Sequence, residues 1–151
     1  MKKKILISTG GSGGHVIPAL NFFEHLKEDH DIFISTDLRG SKFIDPATYK
    51  KEIIDVPDIK KNIFKIPINI IFFIISIIKS FMYLKKNKIN QIISTGGYMT
   101  LPICIASKFT KSKLFLFEPN MVLGRSNLFF INQCQKIFCY SDNIMNFPER
   151  H

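Results

Sequence analysis

The chain lacks most of the features that would place it in a class at once. Its three cysteines, Cys104, Cys134 and Cys139, are odd in number and stand at no metal-ligand spacing. That excludes a zinc finger and a disulfide scaffold, and it fits free thiols in a reducing cytosol. No Gly-Lys-Ser/Thr follows a glycine run, so a P-loop is excluded. No RNA-binding signature with interleaved aromatics and no Cys/His finger occurs, so nucleic acid is not an expected partner. No cluster of metal-ligating residues is evident, and neither a metal nor a cofactor is expected. Lys2-Lys3-Lys4 opens the chain, but only three or four apolar residues follow before the first glycine, too few for the core of a signal peptide. Between Lys65 and Lys79 the uncharged run Ile66–Ile78 has 13 residues and contains Pro67. A membrane span needs about 20, so no transmembrane helix is expected.

Acidic residues are also scarce: 12 Asp and Glu stand against 21 Lys and Arg, a formal net charge of +9. An excess of one sign points to an anionic partner, either a phosphate-bearing substrate or an acidic membrane surface. The hydrophobic share of 46% over 151 residues excludes a disordered chain and suffices for one domain with a core of its own.

Glycine is rare too, and its placement is informative. Six of the eight glycines fall in two turns, Thr9-Gly10-Gly11-Ser12-Gly13-Gly14-His15 and Ser94-Thr95-Gly96-Gly97-Tyr98. Each turn follows an apolar run and precedes a helical pattern. A glycine-rich turn between a strand and a helix lets backbone N–H groups and the positive helix end approach an anion, usually a phosphate. His15 beside the first turn adds an imidazole, a side chain able to take up or release a proton.

Periodicity gives strands at 4–8, 32–34 running into Ser35-Thr36-Asp37, 52–56, 89–94, 113–118 and 136–140. Helices are predicted at 16–28, with Val16, Ala19, Leu20, Phe23 and Leu26 on one face, and at 100–109 and 124–133. Pro18 is expected in the first turn of its helix. Residues 38–50 read as loop or short helix, and an apolar segment runs from about 63 to 84. Strands alternating with helices predict an α/β domain over residues 1–151, a Rossmann-like parallel sheet with helices on both faces. The motifs at 9–15, 94–98 and 118–127 all lie at carboxyl ends of strands, where such folds bind ligands.

The motifs resemble those of a known family. Gly10-Gly11-Ser12-Gly13-Gly14-His15-Val16-Ile17-Pro18-Ala19-Leu20 is similar to the opening loop of MurG-like glycosyltransferases, glycosyltransferase family 28. Gly96-Gly97-Tyr98, with Pro102 after it, resembles the second glycine loop of that family. Glu118-Pro119-Asn120, with Gly124 and Asn127, resembles its His-Glu-Gln-Asn stretch and the residues beyond. Phe117 stands where the family usually has histidine, and Pro119 where it has glutamine. The three motifs keep the family's order and spacing.

The resemblance implies the N-terminal half of a GT-B fold, whose acceptor-binding domain would be this chain. The donor domain, which binds the UDP-sugar, is expected to be absent from residues 1–151 and the chain inactive alone. The implied reaction is inverting, metal-independent transfer of N-acetylglucosamine from UDP-GlcNAc to a lipid-linked diphosphate acceptor, undecaprenyl-diphosphate-linked MurNAc-pentapeptide (lipid I), in peptidoglycan synthesis. An acceptor hydroxyl needs a base; His15 and Glu118 are the two candidates. Gly10, Gly11, Ser12, Gly13, Gly14, Gly96 and Gly97 would hold the diphosphate, and Tyr98, Asn120, Gly124 and Asn127 would contact the acceptor. Each has a plainer role open to it: His15 as an imidazole bracing the turn, Glu118 as a carboxylate ordering its own loop.

The apolar segment is flanked by Lys60, Lys61 and Lys65 on one side and Lys79, Lys85, Lys86 and Lys88 on the other. Apolar residues edged by lysine suit an anionic leaflet, and peripheral attachment to the cytoplasmic face of the bacterial inner membrane is expected. Two other readings stay open. One is the acceptor and membrane subunit of a split glycosyltransferase whose donor domain is a separate chain. The other is a nucleotide-binding oxidoreductase domain, since Gly11 and Gly13 begin a G-x-G-x-x-G pattern and Asp37 could reach a ribose; Val16 occupies its third glycine position.

Overall fold

The computed structural model describes residues 2–57 and 66–148. Six strands form one all-parallel sheet: β1 (Lys4–Ser8), β2 (Asp31–Thr36), β3 (Lys51–Ile53), β4 (Gln91–Ser94), β5 (Lys113–Glu118) and β6 (Lys136–Cys139). Their spatial order is β3-β2-β1-β4-β5-β6. The chain therefore winds outward in one direction from β1 and, after α2, restarts on its other side at β4. The crevice above β1 and β4 is the switch point of such a sheet, where ligands bind.

Parallel strands are apolar on both faces because helices cover both. β1 shows this residue by residue. Leu6 joins a core with Leu84, Ile92, Ile103 and Leu116 on one face. Ile5 and Ile7 join Ala19 and Ile93 on the other, with Phe22, Phe23 and Leu26 packed against them. Helix α1 (Gly13–Leu26) covers the second face; α2 (Ile66–Asn87), α3 (Leu101–Ser107) and α4 (Arg125–Phe130) complete the helices.

Three strands end in the same triplet. Ile7-Ser8-Thr9, Ile34-Ser35-Thr36 and Ile93-Ser94-Thr95 are aligned by the register, with Ile7 opposite Ile34 and Ile93, and Ser8 opposite Ser35 and Ser94. All nine residues are buried. The apolar core stops at one level across the three central strands, and a layer of hydroxyls begins above it.

The sequence expectations need four corrections. Helix α1 starts at Gly13, so the second glycine pair belongs to its first turn and Pro18 lies inside the helix. A pattern of apolar residues locates a buried face but is silent about turns that carry no side chain. β3 ends at Ile53 although Ile54 and Val56 are buried: the Ile54 amide still donates to the Thr36 carbonyl at 2.9 Å, and pairing stops there because β2 itself ends at Thr36. The helix predicted at 100–109 is split into a 3-10 turn at Tyr98–Thr100 and α3. The apolar segment forms a 22-residue helix whose most apolar 18-residue stretch has mean hydropathy 1.9, long and apolar enough by length and composition to cross a membrane, because the helix continues past Lys79. The expected start of that segment, together with Lys60, Lys61 and Lys65, lies outside the described residues.

Candidate active site

The first glycine turn is held from below by an acid. Asp37, at the end of β2 and 1% exposed, accepts the Gly11 amide on Oδ1 at 2.8 Å and the Gly40 amide at 2.9 Å, while its Oδ2 takes Arg39 Nε at 3.2 Å. Burial pushes this carboxyl up, but the two amides and the guanidinium together outweigh burial and hold it below the ordinary value. The carboxylate expected to reach a ribose is thus turned inward to the protein's own backbone. Space above it is as tight as a turn allows. A Cβ on Gly10 would lie 2.6 Å from Asp37 Oδ1 and 2.9 Å from Met99 Cβ.

Helix α1 then opens with Ser12 as its N-cap, and the Ser12 hydroxyl caps no amide. The amides of His15 and Val16 return to the Ser12 carbonyl. Those of Gly13 and Gly14 have no acceptor among the described residues and stand at the positive end of a 14-residue helix. Ser12 and Gly14 are exposed.

His15 joins this turn to the second one. Its Nδ1 lies 2.7 Å from the Thr95 carbonyl oxygen. A carbonyl only accepts, so Nδ1 carries the proton, and in the neutral ring Nε2 holds the lone pair. Below it, the Thr95 hydroxyl donates to that of Thr9 at 2.9 Å, a buried bond between the two strand ends. The second turn passes close above the ring. Gly96 and Gly97 have φ of +81° and +84°, the left-handed region that suits glycine, and a Cβ on Gly97 would sit 3.6 Å from His15 Nε2.

The third motif is built around a buried carboxylate. Glu118, 1% exposed at the end of β5, accepts on both oxygens. Oε1 takes the Asn120 amide at 3.1 Å and Asn120 Nδ2 at 2.9 Å; Oε2 takes the Gly124 amide at 2.8 Å and Asn127 Nδ2 at 2.9 Å. Asn127 Nδ2 also donates to the Phe117 carbonyl at 3.1 Å. Asn127 Oδ1 is buried with no partner, and a Cβ on Gly96 would meet it at 3.3 Å. The second turn therefore touches the first through Gly97 and His15, and the third through Gly96 and Asn127.

The expected residues thus divide. Gly10, Gly11, Gly13, Gly14, His15, Gly96 and Gly97 gather at the switch point, with Ser12 at the open edge. Glu118, Asn120, Gly124 and Asn127 form one hydrogen-bonded loop beside them. Tyr98 points elsewhere: its hydroxyl donates to the Pro57 carbonyl at 3.1 Å and its ring stacks on Phe73 of α2, 6.1 Å between centroids. Phe117 packs edge-on between Phe22 and Tyr140, each at 5.1 Å, so an apolar cluster occupies that position. Two residues escaped the sequence reading, Thr9 and Thr95; the repeated Ser-Thr after an apolar run was the available signal. No group of three potential metal ligands occurs among the described residues.

Known proteins resemble this chain in sequence and in fold. Residues 5–139 match the glycosyltransferase family 28 N-terminal domain. The chain belongs to that family. A relative from Pelagibacter ubique (strain HTCC1062), a UDP-N-acetylglucosamine–N-acetylmuramyl-(pentapeptide) pyrophosphoryl-undecaprenol N-acetylglucosamine transferase, is 55% identical over 148 residues, 98% of this chain and 42% of its own length. The enzyme of the same description from Rickettsia canadensis (strain McKiel) is 32% identical over 152 residues, covering 97% of this chain and 41% of the relative. A crystal structure of Acinetobacter baumannii MurG superposes with a TM-score of 0.83 at 20% identity, over 99% of this chain and 44% of that one, which establishes the shared fold. The chain spans about two fifths of the length of the curated relatives it matches. This family 28 domain thus carries two glycine turns and a histidine at the switch point of its sheet.

Proposed function

We propose that this chain supplies the acceptor side of a MurG-type hexosyltransferase. The donor would be UDP-GlcNAc, bound by a second domain in the same polypeptide or in a partner. The acceptor would be an undecaprenyl-diphosphate carrying MurNAc-pentapeptide. The observation that carries this reading is the imidazole of His15, with its proton fixed on Nδ1 by Thr95 and its Nε2 against the Gly97 turn. In the proposed step, Nε2 takes the proton of the acceptor sugar hydroxyl as that oxygen bonds to the anomeric carbon of the donor. UDP departs with the electron pair of the broken bond, and the configuration inverts. The unpaired amides of Gly13 and Gly14 would hold the acceptor's diphosphate. Glu118 is assigned a positioning role, since both its oxygens already accept two hydrogen bonds from its own loop.

Attachment to the cytoplasmic face of an anionic membrane is part of the proposal. Helix α2 turns Ile68, Ile71, Ile75, Ile78 and Met82 to solvent, all at least 39% exposed, and buries Ser76, Ser80 and Leu84. An apolar outer face on a domain that keeps serines inside suits contact with the acyl boundary.

The test is transfer to a short-chain polyprenyl-diphosphate MurNAc-pentapeptide with a donor domain supplied. His15→Ala should lower turnover by about a hundredfold or more, the scale of general-base catalysis. Glu118→Gln should lower thermal stability together with activity. Near-normal turnover by His15→Ala removes the base assignment. Flotation with vesicles containing phosphatidylglycerol tests the membrane reading, and failure to float at low salt removes it.

A further inference from the structure

We propose that the buried hydroxyl pair of Thr9 and Thr95 is a positioning element that fixes the His15 proton on Nδ1 and so keeps Nε2 free. This role rests on the reading of His15 as the base, whose tautomer the pair would hold. Both threonines act through the backbone of the second turn.

The tautomer depends on one peptide plane. The Thr95–Gly96 peptide presents its carbonyl oxygen to His15 Nδ1 at 2.7 Å and its N–H to Ser94 Oγ at 3.3 Å. Turned over, the same peptide would offer His15 an N–H. Nδ1 would then have to accept, and in the neutral ring the proton would move to Nε2. A glycine at 96 makes such a reversal cheap, because without a Cβ it takes φ of either sign. Gly96 stands at φ +81° and Gly97 at +84°. The bond to Ser94 is long and restrains the plane weakly.

Thr95 supplies the stronger restraint. It is fully buried and tied to β1 twice: its amide donates to the Ser8 carbonyl at 3.0 Å and its hydroxyl to Thr9 Oγ1 at 2.9 Å. Thr9 is 1% exposed, and its own amide is held by the Ser35 carbonyl at 3.0 Å. The accepting hydroxyl therefore sits on backbone pinned to β2. Pairing of β1 with β4 ends at Ser8 and Ser94, so the hydroxyl bond carries it one residue further, into the turn. It fixes the Thr95 Cα, the pivot from which the following carbonyl is aimed. Two buried hydroxyls that face each other add little net stability over two methyl groups of the same shape. Their place beneath His15 points to orientation of the ring.

Imidazole 15N spectra of the chain, recorded with the His15 ring neutral, test this. In the unsubstituted chain Nδ1 should carry the proton. Thr9→Val with Thr95→Val removes both hydroxyls with little change of shape. The ratio of Nδ1–H to Nε2–H should then fall about fivefold, the scale of one net hydrogen bond. Thr95→Ser keeps the hydroxyl and should keep the ratio. A pair that only stabilises the fold would lower the melting temperature and leave the ratio unmoved, and that result overturns the proposal. So does an Nε2–H ring in the unsubstituted chain. Should the double valine fail to fold, Thr9→Ala and Thr9→Ser make the same comparison, and equal ratios in those two overturn it. Turnover with a donor domain supplied separates this role from the base assignment. If His15→Ala is inactive and the ratio ignores the double valine, the base stands and the positioning pair falls. If His15→Ala keeps near-normal turnover while the ratio falls as expected, the pair orients the ring and the base assignment falls.

Discussion

Asp37 shows how much of the candidate site depends on single side chains that do no chemistry. It is buried, charged, and satisfied by the amides of Gly11 and Gly40. Asp37→Ala would leave those donors without an acceptor, and a loss of about 2 kcal/mol in unfolding free energy is expected by denaturant titration. The pH dependence follows from its depressed pKa. Its stabilising contribution is complete above the ordinary value of 3.8 and is lost as pH falls through the lower value of the folded state. Wild type and Asp37→Ala should therefore converge in stability under acid and differ most near neutrality. Gly10→Ala acts on the same contact from the other side, driving a methyl group against Asp37 and Met99. About 1–3 kcal/mol of destabilisation is expected, from overpacking. Cysteines offer a separate check. Burial pushes the Cys104 thiol up to about 11, and its neighbours Ser94 and Thr100 only partly oppose that. Timed alkylation at pH 8 read by mass spectrometry should label Cys134 and Cys139, both part-exposed, well before Cys104.

At the scale of elements, α2 inverts the usual helix. Its buried positions include Ser76, whose hydroxyl donates to the carbonyls of Asp55 at 2.8 Å and Phe72 at 2.9 Å, and Ser80, which donates to the Ser76 carbonyl at 2.7 Å. Replacing Ile71, Ile75 and Ile78 with serine should abolish vesicle flotation at a modest cost in thermal stability, since each is only part-buried. Leu84→Ala, at a position 1% exposed, should cost about 2–5 kcal/mol. Much of the element order was legible in the sequence because parallel strands such as Lys4–Ser8 are short apolar runs closed by turn residues. What was hidden had physical causes. The start of α1 was masked by glycines, which carry no apolar signal. The exposed face of α2 was masked by its uniform hydrophobicity, which does not say which side meets the protein. In the site, His15 and the six turn glycines were legible from the motif, but the bond from His15 to the Thr95 carbonyl joins residues 80 apart and depends on β1 lying beside β4.

Considered whole, the molecule gathers its glycine turns and His15 at one edge of the sheet, at the carboxyl ends of β1 and β4. Family membership covers residues 5–139, nearly all of the described chain. The curated relatives are more than twice as long, and this chain matches about two fifths of each.

The shared Ile-Ser-Thr ending of β1, β2 and β4 has a consequence for how the loops above it tolerate change. Because side chains alternate along a strand, one inserted residue in β1 would trade a buried isoleucine for a hydroxyl and lift the whole first loop off its floor. Variation is thus permitted in the length of the connections but forbidden in the strands beneath them, and the three endings act as a common datum from which the loops above are measured.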